Sequence, residues 1–134
     1  MSQLQGKVAI VTGGGSGFGE GIVKLYAKEG AKVVIADINQ VAADRVAAEV
    51  GAAALAVKAD VSSRADIDNV VRVCQEKFGS VDIVVNNAAI THKNQPMLDV
   101  DEAMFDRMFD INVKSIYHIC LLYTSDAADD LLCV

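Results

Sequence analysis

Short apolar runs alternate with longer amphipathic stretches along the chain. Residues 7–13 (KVAIVTG), 32–37 (KVVIAD), 53–60 (AALAVKAD) and 81–88 (VDIVVNNA) are rich in β-branched side chains and almost continuously apolar, as in strands covered on both faces. Between them, residues 17–29, 40–50 and 65–78 repeat apolar positions at i, i+3 and i+4. Each of these segments stops at a glycine (Gly30, Gly51, Gly79), the residue that most readily ends a helix. A fourth helix is predicted from Asp101 to about Ile119, after the loop AITHKNQPMLDV. Strand alternating with helix implies right-handed crossovers, hence an α/β fold with a Rossmann-type doubly wound parallel sheet. A complete two-halved dinucleotide fold has further strands, so this sheet is expected to be truncated after the fourth strand and fourth helix.

Composition narrows the function. The 134 residues are 52% hydrophobic with a single proline, Pro96, the make-up of one globular domain with a sizeable core. Twelve basic against eighteen acidic residues give a net charge of −6 with no Lys/Arg cluster, which argues against nucleic acid as a partner. The apolar runs are strand-length, well short of the roughly 20 residues a membrane helix needs. The N-terminus lacks the apolar core and cleavage site of a signal peptide, so a cytoplasmic location is expected. Cys74, Cys120 and Cys133 show no CxxC or Cys/His spacing. They read as buried or incidental thiols, without a disulfide framework or zinc site.

The first strand runs into TGGGSGFG, residues 12–19. Gly13, Gly17 and Gly19 form the pattern T-G-x-x-x-G-x-G. Such glycines let the backbone approach a pyrophosphate and aim a helix N-terminus at it, and Ser16 adds a hydroxyl donor. Taken alone, the triplet also fits a tight turn that binds nothing; its place between the first strand and first helix favours phosphate binding. Asp37 ends the second strand, eighteen residues past Gly19. A carboxylate there accepts from both hydroxyls of an adenosine ribose and repels a 2′-phosphate. With Ile38 beside it and no arginine in the loop, NAD is favoured over NADP as the cofactor. Asp60 and Val61 end the third strand, and Asn86, Asn87, Ala88 and Ala89 end the fourth. All lie at the sheet edge where ligands of open α/β folds sit. Asp60 is placed to accept from the adenine amino group, with Val61 beside it, while Asn87, Ala88 and Ala89 leave room for the cofactor. A turn or helix cap for Asp37, a helix cap for Asp60 and strand-tying by Asn86 are the plainer readings of each.

These motifs, followed by NVKS at residues 112–115, resemble in order and interval the short-chain dehydrogenase/reductase (SDR) family. The resemblance covers residues 4 to about 119. NNAA stands where the family has NNAG, and Phe18 where an aliphatic residue is usual. The resemblance implies hydride transfer between a nicotinamide and an alcohol or ketone carbon. It implies a tyrosine acid/base, a lysine four residues later, a carbonyl-orienting serine and an asparagine that supports a proton relay. Asn112 matches that asparagine, and Phe18 and Gly19 fall in the cofactor loop. Tyr26, Tyr117 and Tyr123 are followed four residues on by Gly30, Leu121 and Ala127, so none belongs to a Y-x-x-x-K motif. Ser115 shares a helix with Asn112 and is not the family's serine. This chain alone is therefore expected to be inactive. The parent is expected to act on a small-molecule alcohol or carbonyl substrate and to be a homo-oligomer.

Other polar groups add little. His92 and Lys93 read as a solvated loop pair, and His118 as a packed helix residue. Asp99, Asp101, Glu102, Asp106 and Asp110 read as a solvated face with no metal. The final stretch, CLLYTSDAADDLLCV, resembles a translated transposase-type sequencing adapter. The expected division is thus a partial dinucleotide-binding domain over residues 1–119 and a non-native tail over 120–134, in which TSDAADD (residues 124–130) is polar and acidic and expected to lack regular structure, leaving apolar surface of the fourth strand and helix exposed. Two other functions fit the same residues: a non-catalytic dinucleotide-binding or redox-sensing module, and an assembly subunit that only copies the fold.

Overall fold

The computed structural model describes residues 2–90, 94–125 and 132–133. His92 and Lys93 lie outside the described residues. The strands are β1 (Val8–Thr12), β2 (Lys32–Asp37), β3 (Ala54–Lys58), β4 (Ile83–Val85) and β5 (Leu132–Cys133); the helices are α1 (Gly17–Lys28), α2 (Gln40–Val50), α3 (Arg64–Phe78), α4 (Glu102–Phe109) and α5 (Ser115–Ser125). The sheet order is β3-β2-β1-β4-β5 and every pair is parallel. The doubly wound parallel sheet is therefore present, and two residues beyond the four expected strands pair with β4.

Strand geometry divides the apolar residues between two layers, because successive side chains point to opposite faces. Ile10, Val34 and Val84 join Ile67, Val70, Cys74 of α3 and Ile119 of α5 on one face. Val11, Val33 and Ile35 join Val23 of α1 and Ala43, Val46 of α2 on the other. Ile10, Val34, Val11 and Ile35 are fully buried, each such side chain contributing about 1.5–3 kcal/mol through burial. That double covering is why these strands lack polar alternation.

Helix starts follow their caps. Asn39 Oδ1 accepts from Ala42 N–H at 3.0 Å, Ser63 Oγ from Asp66 N–H at 3.2 Å and Asp101 Oδ1 from Met104 N–H at 2.7 Å, each satisfying an N–H that the helix leaves unpaired. So neither Asp60 nor Asp37 is a helix cap, while the turn role read for Asp37 is present, its Oδ1 accepting from Asn39 N–H at 2.9 Å. Ser16, at the same position before α1, makes no side-chain cap bond.

The long fourth helix is interrupted. Residues Asp110–Lys114 form a π-helical turn between α4 and α5. Ser115 N–H donates to the carbonyl of Asp110, five residues back. The Ile111 carbonyl, which that N–H would take in an α-helix, is satisfied instead by the buried Ser115 hydroxyl at 2.5 Å. Downstream, α5 continues through Ser125, so the first two residues of TSDAADD are helical, contrary to expectation, and the other five lie outside the described residues. Phe105, Phe109, Val113 and Tyr117 are exposed along this helical stretch, in keeping with the expected uncovered apolar surface. Cys74 is a buried free thiol. Cys120 is disulfide-bonded, so the reading of incidental thiols does not extend to it.

Candidate functional site

Strand β1 has β2 on one side and β4 on the other, so the crossovers leave it in opposite directions and open a crevice at the carboxyl ends of the strands. A cleft of about 310 Å³ occupies that position, at the lower end of ligand-cleft volumes. Gly13 and Ser16 of the glycine turn line it, with Asp37 and Ile38 after β2, Asp60 and Val61 after β3, and Asn87, Ala88 and Ala89 after β4. Gly17, Phe18, Gly19 and Asn112 do not line this cleft.

The turn is built by close backbone approach. Gly17 has φ +57°, and a Cβ there would meet nothing within 4 Å, so its open side lies at the start of α1, where backbone N–H groups are unpaired. Phe18 next to it is 89% exposed. Gly19 is buried, and a Cβ on it would run into the Gly13 carbonyl and lie 2.6 Å from Asn87 Nδ2. Its role is to let the helix press against the turn. Asn87 completes that contact by donating from Nδ2 to the carbonyls of Thr12 (3.1 Å) and Gly13 (3.2 Å).

Thr12 is the hub between the two strand ends. Its buried hydroxyl donates to Val85 O (3.3 Å) and accepts from the N–H groups of Asn87 and Ala88, both at 3.1 Å, filling its full hydrogen-bonding capacity. Asp37 is held just as firmly. Oδ2 accepts from Gly15 N–H and Oδ1 from Asn39 N–H, each at 2.9 Å, which leaves each oxygen further lone-pair capacity.

Asp60 Oδ1 accepts twice from Ser62, from the hydroxyl at 2.6 Å and the N–H at 2.9 Å. The Ser62 hydroxyl, its N–H and the charge of Arg107 together outweigh partial burial and hold the Asp60 carboxyl below the usual range. Arg107 itself, with Ala36, Ala59, Ile90 and Ile111, completes the cleft wall. None of these five stood out in the sequence. Arg107 lies in a helix that reads as solvated, and the others read as ordinary apolar positions.

Asn112 sits on the π-helical turn, behind the wall. Its Nδ2 donates to Ile90 O at 2.8 Å and its Oδ1 accepts from Ile90 N–H at 2.9 Å. This reciprocal pair ties the strand-4 loop to the helix, and the widened turn is a feature often found at functional sites. His118 is half-buried with its Nδ1 lacking a hydrogen-bond partner, and it does not line the cleft.

Among the described residues no helix is long and apolar enough to cross a membrane. Galactitol 2-dehydrogenase of Agrobacterium fabrum is 48% identical over 112 residues, covering 84% of this chain and 43% of that protein. A 3-beta-hydroxysteroid dehydrogenase of Comamonas testosteroni is 43% identical over 119 residues, 89% of this chain and 46% of that protein. The solved structure of a 3-ketoacyl-(acyl-carrier-protein) reductase from Brucella melitensis, complexed with NADH, superposes with a TM-score of 0.90 at 51% identity, covering 92% of this chain and 50% of that one. The chain thus spans about half the length of the relatives it matches. The family profile described as short chain dehydrogenase matches residues 7–127, and with a cleft at the switch point of a parallel sheet, the chain belongs to the short-chain dehydrogenase family.

Proposed function

We propose that this chain is the NAD-binding part of an alcohol or ketone oxidoreductase. The observation that carries the reading is Asp37, fixed by two backbone N–H bonds on the wall of the same cleft that holds Ser16, Asp60 and Asn87. A bound nicotinamide dinucleotide supplies or takes up a hydride at a substrate carbon. The chain's residues bind and orient it. The uncapped hydroxyl of Ser16 and the first turn of α1, where Gly17, Phe18 and Gly19 lie, hold the pyrophosphate. The spare lone pairs of Asp37 accept from the ribose hydroxyls beside Ile38, and its charge disfavours a 2′-phosphate. Arg107, the cation of the cleft wall, acts on Asp60. With Oδ1 engaged by Ser62, Asp60 offers Oδ2 to the adenine amino group next to Val61. Asn87, Ala88 and Ala89 flank the path toward the nicotinamide end, and the NADH held by the Brucella relative supports this choice of cofactor.

Asn112 is the chain's contribution to the proton relay, held in place by Ile90. No tyrosine of the chain has a lysine four residues on, so residues 1–119 bind cofactor without turning over. A longer parent, with a small-molecule alcohol or carbonyl substrate, supplies the tyrosine, lysine and serine. The exposed apolar residues of α4 and α5 support a homo-oligomeric parent.

The test is a titration of the chain with NADH and NADPH, repeated on Asp37→Ser. NADH is expected to bind more tightly than NADPH by at least about tenfold, and the substitution to weaken NADH by roughly 10- to 100-fold, the loss of charge-assisted bonds. Equal affinities in the unsubstituted chain would count against the NAD assignment.

A further inference from the structure

Helices α1 and α2 face each other through four charges outside the cleft. Lys24 Nζ lies 2.6 Å from both Glu20 Oε2 and Glu49 Oε2. Arg45 closes the circuit, with Nη2 2.5 Å from Glu20 Oε1 and Nη1 2.9 Å from Glu49 Oε1. Signs alternate around this ring, and all four side chains are partly exposed. Exposed pairs of this kind add little stability on their own. One member, however, does something the others do not.

Arg45 Nη2 also donates to the carbonyl of Gly15, at 3.3 Å, in the middle of the glycine turn. The N–H of that same residue donates to Asp37 Oδ2 at 2.9 Å. Gly15 is therefore gripped on both sides, by the carboxylate that faces the cleft and by the guanidinium that anchors the outer ring. It is also buried, and a Cβ on it would lie 2.8 Å from Asp37 Oδ2 and 3.1 Å from the Ala42 Cβ, so the turn runs tightly against the start of α2. A peptide carbonyl turned toward an anion site would oppose the ligand's charge; here the Gly15 carbonyl is committed to a cation on α2. The planar fork of a guanidinium holds two carboxylates and a carbonyl in a fixed geometry that a compact ammonium on a flexible stem does not impose.

We propose that Arg45 is a positioning residue for the dinucleotide turn, setting the Gly15 carbonyl and with it the approach of Ser16 and Gly17 to the ligand's phosphates. The inference rests on the cleft being a dinucleotide site. Through Arg45, cofactor affinity depends on charges that never touch the cofactor. Lys24 provides the internal control, since it bridges the same two carboxylates and makes no bond to the turn.

The experiment compares Arg45→Met, Arg45→Lys and Lys24→Met in the full chain by thermal melting, NADH titration, and amide hydrogen exchange of the ligand-free turn. Arg45→Met and Lys24→Met should melt at similarly lowered temperatures. Only Arg45→Met should raise the Kd for NADH, by roughly three- to tenfold, the range for one lost hydrogen bond, and only it should speed exchange at residues 14–17. Arg45→Lys should recover melting and leave the Kd raised. Wild-type affinity and protection in Arg45→Met, or equal losses in Lys24→Met, would overturn the proposal. Loss of turn protection confined to Arg45→Met in a chain that binds no NADH would instead sink the dinucleotide reading and leave the positioning role standing.

Discussion

Replacing Thr12 by valine keeps the shape of a buried side chain while deleting its hydroxyl. Three hydrogen bonds go with it, to Val85 O and from Asn87 and Ala88 N–H. Each such bond is worth about 1 kcal/mol net, and a buried partner left unpaired costs about 1–3 kcal/mol. Asn87 N–H and Val85 O keep a 3.0 Å bond to each other, so Ala88 N–H is the group left unpaired, and it is only half-buried. The loss should therefore fall near ~1–3 kcal/mol, a sizeable share of the ~5–15 kcal/mol stability of a domain. Urea unfolding would show it as a lower midpoint at unchanged slope. Thr12→Ser, which keeps the hydroxyl and loses one methyl, should cost only about 0.5–1.5 kcal/mol. A Thr12→Val loss under about 0.5 kcal/mol, the size of an ordinary surface change, would refute the hub assignment.

Gly19→Ala places a methyl against the Gly13 carbonyl and Asn87; destabilisation of about 1–3 kcal/mol from overpacking, measured by urea unfolding, should accompany weaker NADH binding. Bonds from Arg45 and Lys24 lower the Glu20 carboxyl from 4.5 to about 2. The unfolded chain protonates this group near its ordinary value, so the stabilisation is complete above pH 4.5 and fades as pH falls toward 2. Urea midpoints across that window should drop less steeply in Glu20→Gln, and a parallel drop would remove Glu20 from the cause. Burial, then the charge of Asp82, push the Cys74 thiol up to about 12. Its peptide should stay unalkylated by iodoacetamide in the native chain at pH 8 and react once urea unfolds it, because the thiolate is the nucleophile; mass spectrometry reads both states. Ser115→Ala leaves the Ile111 carbonyl without its 2.5 Å partner and should cost about 1–3 kcal/mol, seen as a lower urea midpoint.

The strands were legible because residues buried on both sides must be apolar throughout, as Val8 to Val11 and Val33 to Ala36 are. Asp37 and Asp60 were legible because parallel strands bring their ends to one edge, whatever the loops do. The π-helical turn was not. One widened turn shifts the apolar period by a single residue, and the cue, Ser115 bonding back to Ile111, looks like any helical serine. Thr12 heads the glycine motif, but its hub role was hidden because its partners stand 73 to 76 positions away. Arg45 and Arg107 did not stand out, since spacing along one helix cannot show that a neighbouring helix, turn or strand end supplies their partners. Pairing of Leu132 and Cys133 with β4 was hidden for a similar reason: two residues after a polar, acidic stretch carry no periodicity.

The most direct test of the account is an amide NMR titration of ¹⁵N-labelled chain with NADH. Saturable shifts are predicted at Gly13, Ser16 and Gly17, at Asp37 and Ile38, at Asp60 and Val61, and at Asn87, Ala88 and Ala89, with the exposed Phe105, Phe109 and Tyr117 unmoved. An unchanged spectrum of the folded chain at millimolar NADH, or shifts confined to residues away from this cleft, would contradict it.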